Sequence, residues 1–217
     1  MNDKHSRSPP QRHFVHPMRL PYSSIAAILY SLASRKYELP RIGLLSDSHG
    51  RASTTRQAVN VLLEAGAQCI IHLGDVGTID VIDELLVTPN PAGGPARTTD
   101  DIDAIAVHLV FGNVDWDRAA MSRYAQSLGL IVDDPVGKMK LDDGRELLFL
   151  HGDDAAAMAA AMDCGAAYVC HGHSHRTRDE RIGKTRVINP GALFRAQSYT
   201  AALLDTDADS LVFLPVE

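Results

Sequence analysis

Residues 42–50 read IGLLSDSHG, and this stretch decides the fold. Ile42 to Leu45 form a short apolar run, and Ser46-Asp47-Ser48-His49-Gly50 follow it at once. An apolar run of strand length closed by a turn signal reads as a strand buried on both faces. From about Thr54 to Ala65 the spacing changes to a helical one, with Ala58, Val59, Leu62 and Leu63 on one face. Strand, polar turn and helix make one βα unit.

Working outward, the unit recurs. Cys69-Ile70-Ile71-His72-Leu73 is a second buried strand ending in Gly74-Asp75, with a helix predicted over 78–87. Residues 88–101 are rich in proline and glycine and read as a surface loop. Ile105 to Phe111 is a third strand, ending in Gly112-Asn113, and residues 116–128 are helical. The second half carries more hairpins. Lys138–Leu141 and Glu146–Leu150 flank Asp142-Asp143-Gly144-Arg145, a hairpin signal. The second of these strands ends in His151-Gly152-Asp153. A helix over 154–163 leads to the strand Ala166–Cys170, then His171-Gly172-His173-Ser174-His175. Residues 185–188, 199–204 and 210–215 read as short strands, with the last turn at Asp205–Asp209.

Strands alternating with helices predict an α/β fold. The hairpins make the sheets mixed, and two sheets packed face to face between helices is the expected architecture. Residues 40–217 form one domain without internal repeats. Residues 1–39 are an N-terminal extension: a polar tail with Pro9, Pro10 and Pro17, then a short helix over 22–36, with Pro40 at the entry to the first strand.

The chain has 217 residues, enough for one core, and a formal net charge of −6. No basic field favours nucleic acid or an anionic membrane surface. No segment reaches the ~18 apolar residues that span a bilayer. Residues 25–33 come nearest; they read as part of a short helix packed on the domain, with a signal-peptide core as the alternative. Cys69, Cys164 and Cys170 are odd in number and form no CxxC, so neither a disulfide framework nor a zinc knuckle is expected. Buried reduced thiols at Cys69 and Cys170 and a cytoplasmic location fit this usage.

Five apolar strands end in a cluster rich in Asp, His or Asn. In α/β sheets ligands bind outside the carboxyl ends of the strands, so Asp47, His49, Asp75, Asn113, His151, His173 and His175 are aimed at one crevice. A glycine in each cluster (50, 74, 112, 152 and 172) lets the backbone turn and leaves the side chains unobstructed. Each cluster alone has a plainer reading: a helix cap at Asp47, Asp75 or 151–153, a turn at Gly112-Asn113, a solvated turn at 173–175. His173 and His175, two apart on a strand end, are expected to face the same way. All five in order at strand ends point to a metal site. Carboxylate, imidazole and amide oxygen without thiolate favour Mn, Fe, Ni, Co or Zn. Seven ligands exceed the need of one ion and suit two, about 3.5–4 Å apart.

The series DSHG, GD, GN, HGD and GHSH resembles the calcineurin-like metallophosphoesterase superfamily. The later Asn189-Pro190-Gly191 resembles its small bacterial and archaeal phosphodiesterase branch, over residues 41 to 215. The resemblance implies a two-sheet α/β sandwich and a metal-dependent phosphoric ester hydrolase. It implies two divalent ions, Mn2+ foremost, with Ni2+, Fe2+, Co2+ or Zn2+ as alternatives. Asp47, His49 and His175 resemble the ligands of the first metal, and Asn113, His151 and His173 those of the second. Asp75 resembles the bridging carboxylate, and a metal-bridging hydroxide is the implied nucleophile. Asp75, Asn113 and His151 are the implied catalytic residues. Many relatives carry a histidine directly after the Asn, as the acid for the leaving group; here Val114 stands there, followed by Asp115.

Around the site, His72 and His171 read as buried supporting histidines, Asp115 and Asp153 as residues that orient ligand histidines, and Arg51 as a phosphate contact or a solvated helix start. The expected function is phosphodiester hydrolysis of a small phosphorylated molecule, with no nucleic acid or membrane partner; the resemblance allows a homodimer. Alternatives are a phosphomonoesterase, a non-catalytic protein-interaction scaffold of the same fold, and a nuclease.

Overall fold

The computed structural model describes residues 41–86 and 105–217. The expected tail and helix within 1–39, Pro40, the loop 88–101 and the end of the 78–87 helix lie outside the described residues. Among the described residues no helix is long and apolar enough to cross a membrane.

Two mixed sheets carry the domain. The first contains β1 (Arg41–Leu45), β2 (Cys69–Leu73), β3 (Ala106–Val110), β4 (Ile131–Val132), β10 (Thr200–Asp205) and β11 (Ser210–Pro215), in the order β11-β10-β1-β2-β3-β4. β1 to β4 run parallel, β10 pairs antiparallel with β1, and β11 pairs antiparallel with β10. The second contains β5 (Val136–Lys140), β6 (Glu146–Leu150), β7 (Tyr168–His171), β8 (Thr177–Ile182) and β9 (Thr185–Pro190), in the order β5-β6-β7-β9-β8. β6, β7 and β9 are parallel, flanked by antiparallel edges. The helices are α1 (Ala52–Glu64), α2 (Ile79–Glu84), α3 (Arg118–Ser127) and α4 (Ala155–Asp163).

The period-2 alternation of strand side chains explains the layers. Ile42, Leu44, Cys69, Ile71 and Leu73 point from the first sheet into a cluster shared with Leu147, Phe149, Tyr168, Cys170 and Ile188 of the second. The intervening residues face outward. Leu45 and Ile70 meet Ala58, Val59 and Leu62 of α1, with Val81 and Ile82 of α2 and Met121 and Ala125 of α3. Leu148, Leu150 and Val169 meet Ala161 of α4. Helices thus cover both outer faces, which is why these strands read as continuous apolar runs.

Two strands were not expected. β4 has two residues, too few for a pattern. β8 reads Thr-Arg-Asp-Glu-Arg-Ile and has no apolar face; five of its six positions are exposed. It holds the edge of the second sheet, where charges discourage pairing with another chain. Its charges are used within the fold: Asp179 takes both Arg186 nitrogens at 2.7 and 2.8 Å, and Arg181 pairs with Asp209.

Cys69 and Cys170 are free and buried, and burial pushes both thiols up to about 12.

On β5, Gly137 stands directly opposite Phe149, whose ring lies over it. A Cβ at 137 would overlap that ring. Gly137→Ala is expected to cost ~1–3 kcal/mol by overpacking, read as a lower urea midpoint. An unchanged midpoint would mean that the ring moves aside freely.

Candidate metal centre

The loops after β1, β2, β3, β6 and β7 leave parallel strands at their carboxyl ends, and they are bonded to one another. Asp47 N–H donates to the Gly74 carbonyl (3.0 Å), His49 N–H to Asp75 (2.8 Å) and Gly50 N–H to Val76 (2.8 Å), so the first two loops continue as a ladder past the strands. Gly172 N–H donates to the His151 carbonyl at 2.9 Å and joins the two loops of the second sheet. His173 N–H donates to Asp47 Oδ2 at 3.1 Å and ties the sheets together at the site.

This brings the expected residues into two groups. Asp47, His49, Asp75 and His175 place one donor atom each within 4.8 Å of one another, and Asp75, His151 and His173 do the same. Asp75 belongs to both. Its Oδ2 lies 3.4 Å from His49 Nε2, and its Oδ1 lies 3.4 Å from His151 Nε2. Asn113 Oδ1 joins the second group, 3.3 Å from His151 Nε2. In the first group His49 Nε2 and His175 Nε2 approach to 3.2 Å. His173 and His175 do not face one way, as their spacing on a strand suggested. They follow β7 in a loop, both with left-handed backbone, and serve different groups.

The donor atoms suit a cation. Asp47 Oδ1 is buried with no hydrogen-bond donor, 3.3 Å from His175 Nε2. An orphaned, buried carboxylate oxygen among imidazoles is costly unless positive charge reaches it. His151 Nδ1 donates to the Leu73 carbonyl at 2.8 Å, which must accept, so Nε2 is the nitrogen offered to the site. Burial raises the Asp47 carboxyl above its ordinary value, opposed by the Ser46 hydroxyl and the nearby histidines. Burial also acts on Asp75, but His151, the Val114 N–H and the charge of His49 outweigh it and hold that carboxyl low. Burial lowers His49; for His151 it is outweighed by Asp75 and the Leu73 carbonyl, and the imidazole is raised.

Of the plainer readings of single clusters, the turn at Gly112-Asn113 and the solvated turn at 173–175 are present alongside the grouping, and the helix caps are not. α1 starts at Arg51 and α2 at Thr78 without a side-chain cap. Asp117 and Asp154 cap α3 and α4, and neither is in the site. Five of the grouped residues are left-handed: Asp47 (φ 56°), His49 (44°), Asp75 (55°), His173 (66°) and His175 (56°). Such conformations cost energy in non-glycine residues and gather where function requires them. Two of the five glycines act through space and not through their φ. A Cβ at Gly112 would overlap Asp75 Oδ1, and one at Gly172 would overlap Ser46 Oγ.

Asp115 does not orient a histidine. Its carboxylate accepts N–H bonds from Gly112 (2.8 Å), Gly77 (2.7 Å) and Val76 (3.2 Å), pinning the β2 and β3 loops together. Asp153 is exposed and has no hydrogen bond to a histidine of the two groups. His72 supports the site from beneath. It accepts from Gly74 N–H at Nδ1 (3.2 Å), so Nε2–H donates to Ser48 Oγ (2.8 Å), between Asp47 and His49. Buried Asn189, noted in the sequence only within a resemblance, donates to the Gly172 carbonyl (2.7 Å) and Ser174 Oγ (3.1 Å), fixing the loop that carries His173 and His175. Phe194, which no pattern singled out, packs its ring 5.0 Å from that of His49.

The calcineurin-like phosphoesterase superfamily domain matches residues 41–209. The phosphodiesterase MJ0936 of Methanocaldococcus jannaschii is 24% identical over 172 residues, covering 77% of this chain and 93% of its own. A solved structure described as a novel archaeal phosphodiesterase superposes with a TM-score of 0.66 at 22% identity, over 81% of this chain and 99% of the other. The phosphoesterase YfcE from E. coli superposes at 0.54 with 18% identity, over 82% and 100%. These likenesses establish the metallophosphoesterase fold.

Burial lowers the His72 pKa to about 3, against 6.5 unfolded. Between these values the unfolded chain binds the extra proton, so stability is lost as pH falls from about 6.5 toward 3. His49 and His171 add to the loss and His151 opposes it. In chelator-treated protein, His72→Gln is expected to make the fall of unfolding free energy with pH shallower, by about 1 kcal/mol per pH unit below pH 6. Urea titrations from pH 7 to 4.5 measure it, and equal slopes in the two proteins would mean that His72 titrates within the fold.

Proposed function

Because the chain belongs to the calcineurin-like phosphoesterase superfamily, we propose that it is a two-metal phosphodiesterase acting on a small phosphate ester. The observation that carries this reading is the division of Asp75 between the two ligand groups, one oxygen toward His49 and the other toward His151. A carboxylate shared in this way suits a bridge between two cations. In this proposal Asp47, His49 and His175 hold one ion, Asn113, His151 and His173 the other, and Asp75 both. The ions, Mn2+ foremost, would supply Lewis-acid polarisation and neutralise charge on the phosphoryl group. The name of the Methanocaldococcus jannaschii relative favours diesters.

The protein's own contribution is to fix the donors. Leu73 sets the His151 tautomer, Val114 N–H holds Asp75 Oδ1 at 3.0 Å, and His173 N–H holds Asp47. No side chain on the β3 loop is a ready proton donor. Val114 has none to give, and the Asp115 oxygens are occupied by backbone N–H groups. In this proposal the leaving oxygen takes no proton from the β3 loop.

Metal-loaded protein is expected to bind two equivalents of Mn2+ by elemental analysis, and Asp75→Asn to lose more metal and more turnover than Asn113→Ala. One equivalent with full activity, or equal losses in the two variants, would remove the bridging role.

General acid catalysis is typically worth ~10²–10⁴-fold, so an enzyme without it depends on the leaving group. Log(kcat/KM) is expected to fall steeply from nitrophenyl to alkyl esters, with the same slope in Asp115→Asn. A flat dependence that steepens in that variant would identify Asp115 as the acid.

A further inference from the structure

Seven residues among those described have a positive φ without being glycine, and five belong to the two ligand groups. Arg195 is a sixth, at 47°. It follows a segment held at two points: Gly191 N–H donates to Asn189 Oδ1 at 2.9 Å, and Leu193 N–H to the Ser46 carbonyl at 3.2 Å. Directly after Leu193, Phe194 turns its half-buried ring onto His49.

Two guanidinium groups share that ring. The Arg51 Cζ stands 4.9 Å from its centre and the Arg195 Cζ 5.0 Å. Most other arginines among the described residues meet carboxylates, as Arg56 does Glu84 and Arg186 does Asp179. Among the described residues Arg51 and Arg195 have no hydrogen bond or ion pair, only the ring. Two like charges gathered around one aromatic ring, each attracted by its π-system, lack an anion. A planar guanidinium is the side chain best matched to a phosphate.

We propose that Arg51, Phe194 and Arg195 form a subsite for a second, non-scissile phosphate of the substrate. This rests on the phosphodiesterase reading: with the reacting phosphate at the ligand groups, the next substituent extends past His49 onto the ring and meets both guanidinium groups. The substrate class is then a phosphodiester that carries a further terminal phosphate, and these residues determine specificity without touching the reacting atoms.

The test uses the full chain loaded with Mn2+. Calorimetry compares thymidine 3′,5′-bisphosphate with thymidine 5′-phosphate, and turnover compares thymidine 5′-(4-nitrophenyl phosphate) with and without a 3′-phosphate. The parent protein is expected to prefer the doubly phosphorylated partner about 10-fold in both assays. The double variant Arg51→Gln/Arg195→Gln should reduce the preference to about 2-fold, and Phe194→Leu should lower it while Phe194→Tyr keeps it. No preference in the parent, or a preference that survives the double variant, would overturn the subsite. Turnover without preference removes the subsite alone. Preference that needs the arginines, with neither ester hydrolysed, removes the phosphodiesterase reading and leaves a bisphosphate-binding site.

Discussion

Asp47 and Asp75 are carboxylates removed almost wholly from water, 0% and 2% exposed, where two sheets meet. A buried charge is costly unless it is paired and hydrogen-bonded, and the local architecture answers that cost. Parallel strands end side by side, so their loops can bond across strands and turn N–H groups inward. The Val114 and His173 amides reach the carboxylates, and three imidazoles stand within 3.4 Å of their oxygens. One oxygen is left without a donor. A cation would complete the arrangement, and this is the physical sense in which the fold and the metal chemistry belong together.

Much of the fold was legible because two-face burial writes a strong pattern. β2, β6 and β11 fall where their apolar runs predicted, and among the described residues the helices lie within three residues of their expected bounds. The architecture followed from the order of those runs. β8 was not legible because its stability comes from edge pairing and from ion pairs with Arg186 and Asp209, and neither leaves a local period.

The seven grouped residues could be read because each lies in the loop that follows a strand, and strand ends of parallel sheets converge. What each neighbour does could not be read. Asp115 reads by position as a residue that orients a histidine and is a backbone clamp by contact. His72 sits in an apolar run, yet its ring holds Ser48. Phe194 and Arg195 follow a turn motif with no apolar or charge period, and their meeting with Arg51 joins positions more than 140 residues apart in the sequence. The division of His173 and His175 between groups depends on backbone torsions that residue spacing does not encode.

Those torsions have a consequence for what sequence change can do here. A left-handed position admits glycine freely, tolerates Asn, Asp and His better than other side chains, and resists β-branched ones. The three best-tolerated side chains are also oxygen and nitrogen donors. At positions 47, 49, 75, 173 and 175 the backbone therefore narrows the usable alphabet almost to metal ligands and glycine. A single replacement by Val or Ile there would meet steric opposition before its effect on chemistry was felt. The main chain acts as a filter, so the loops favour a ligand set by their shape as well as by the side chains they carry.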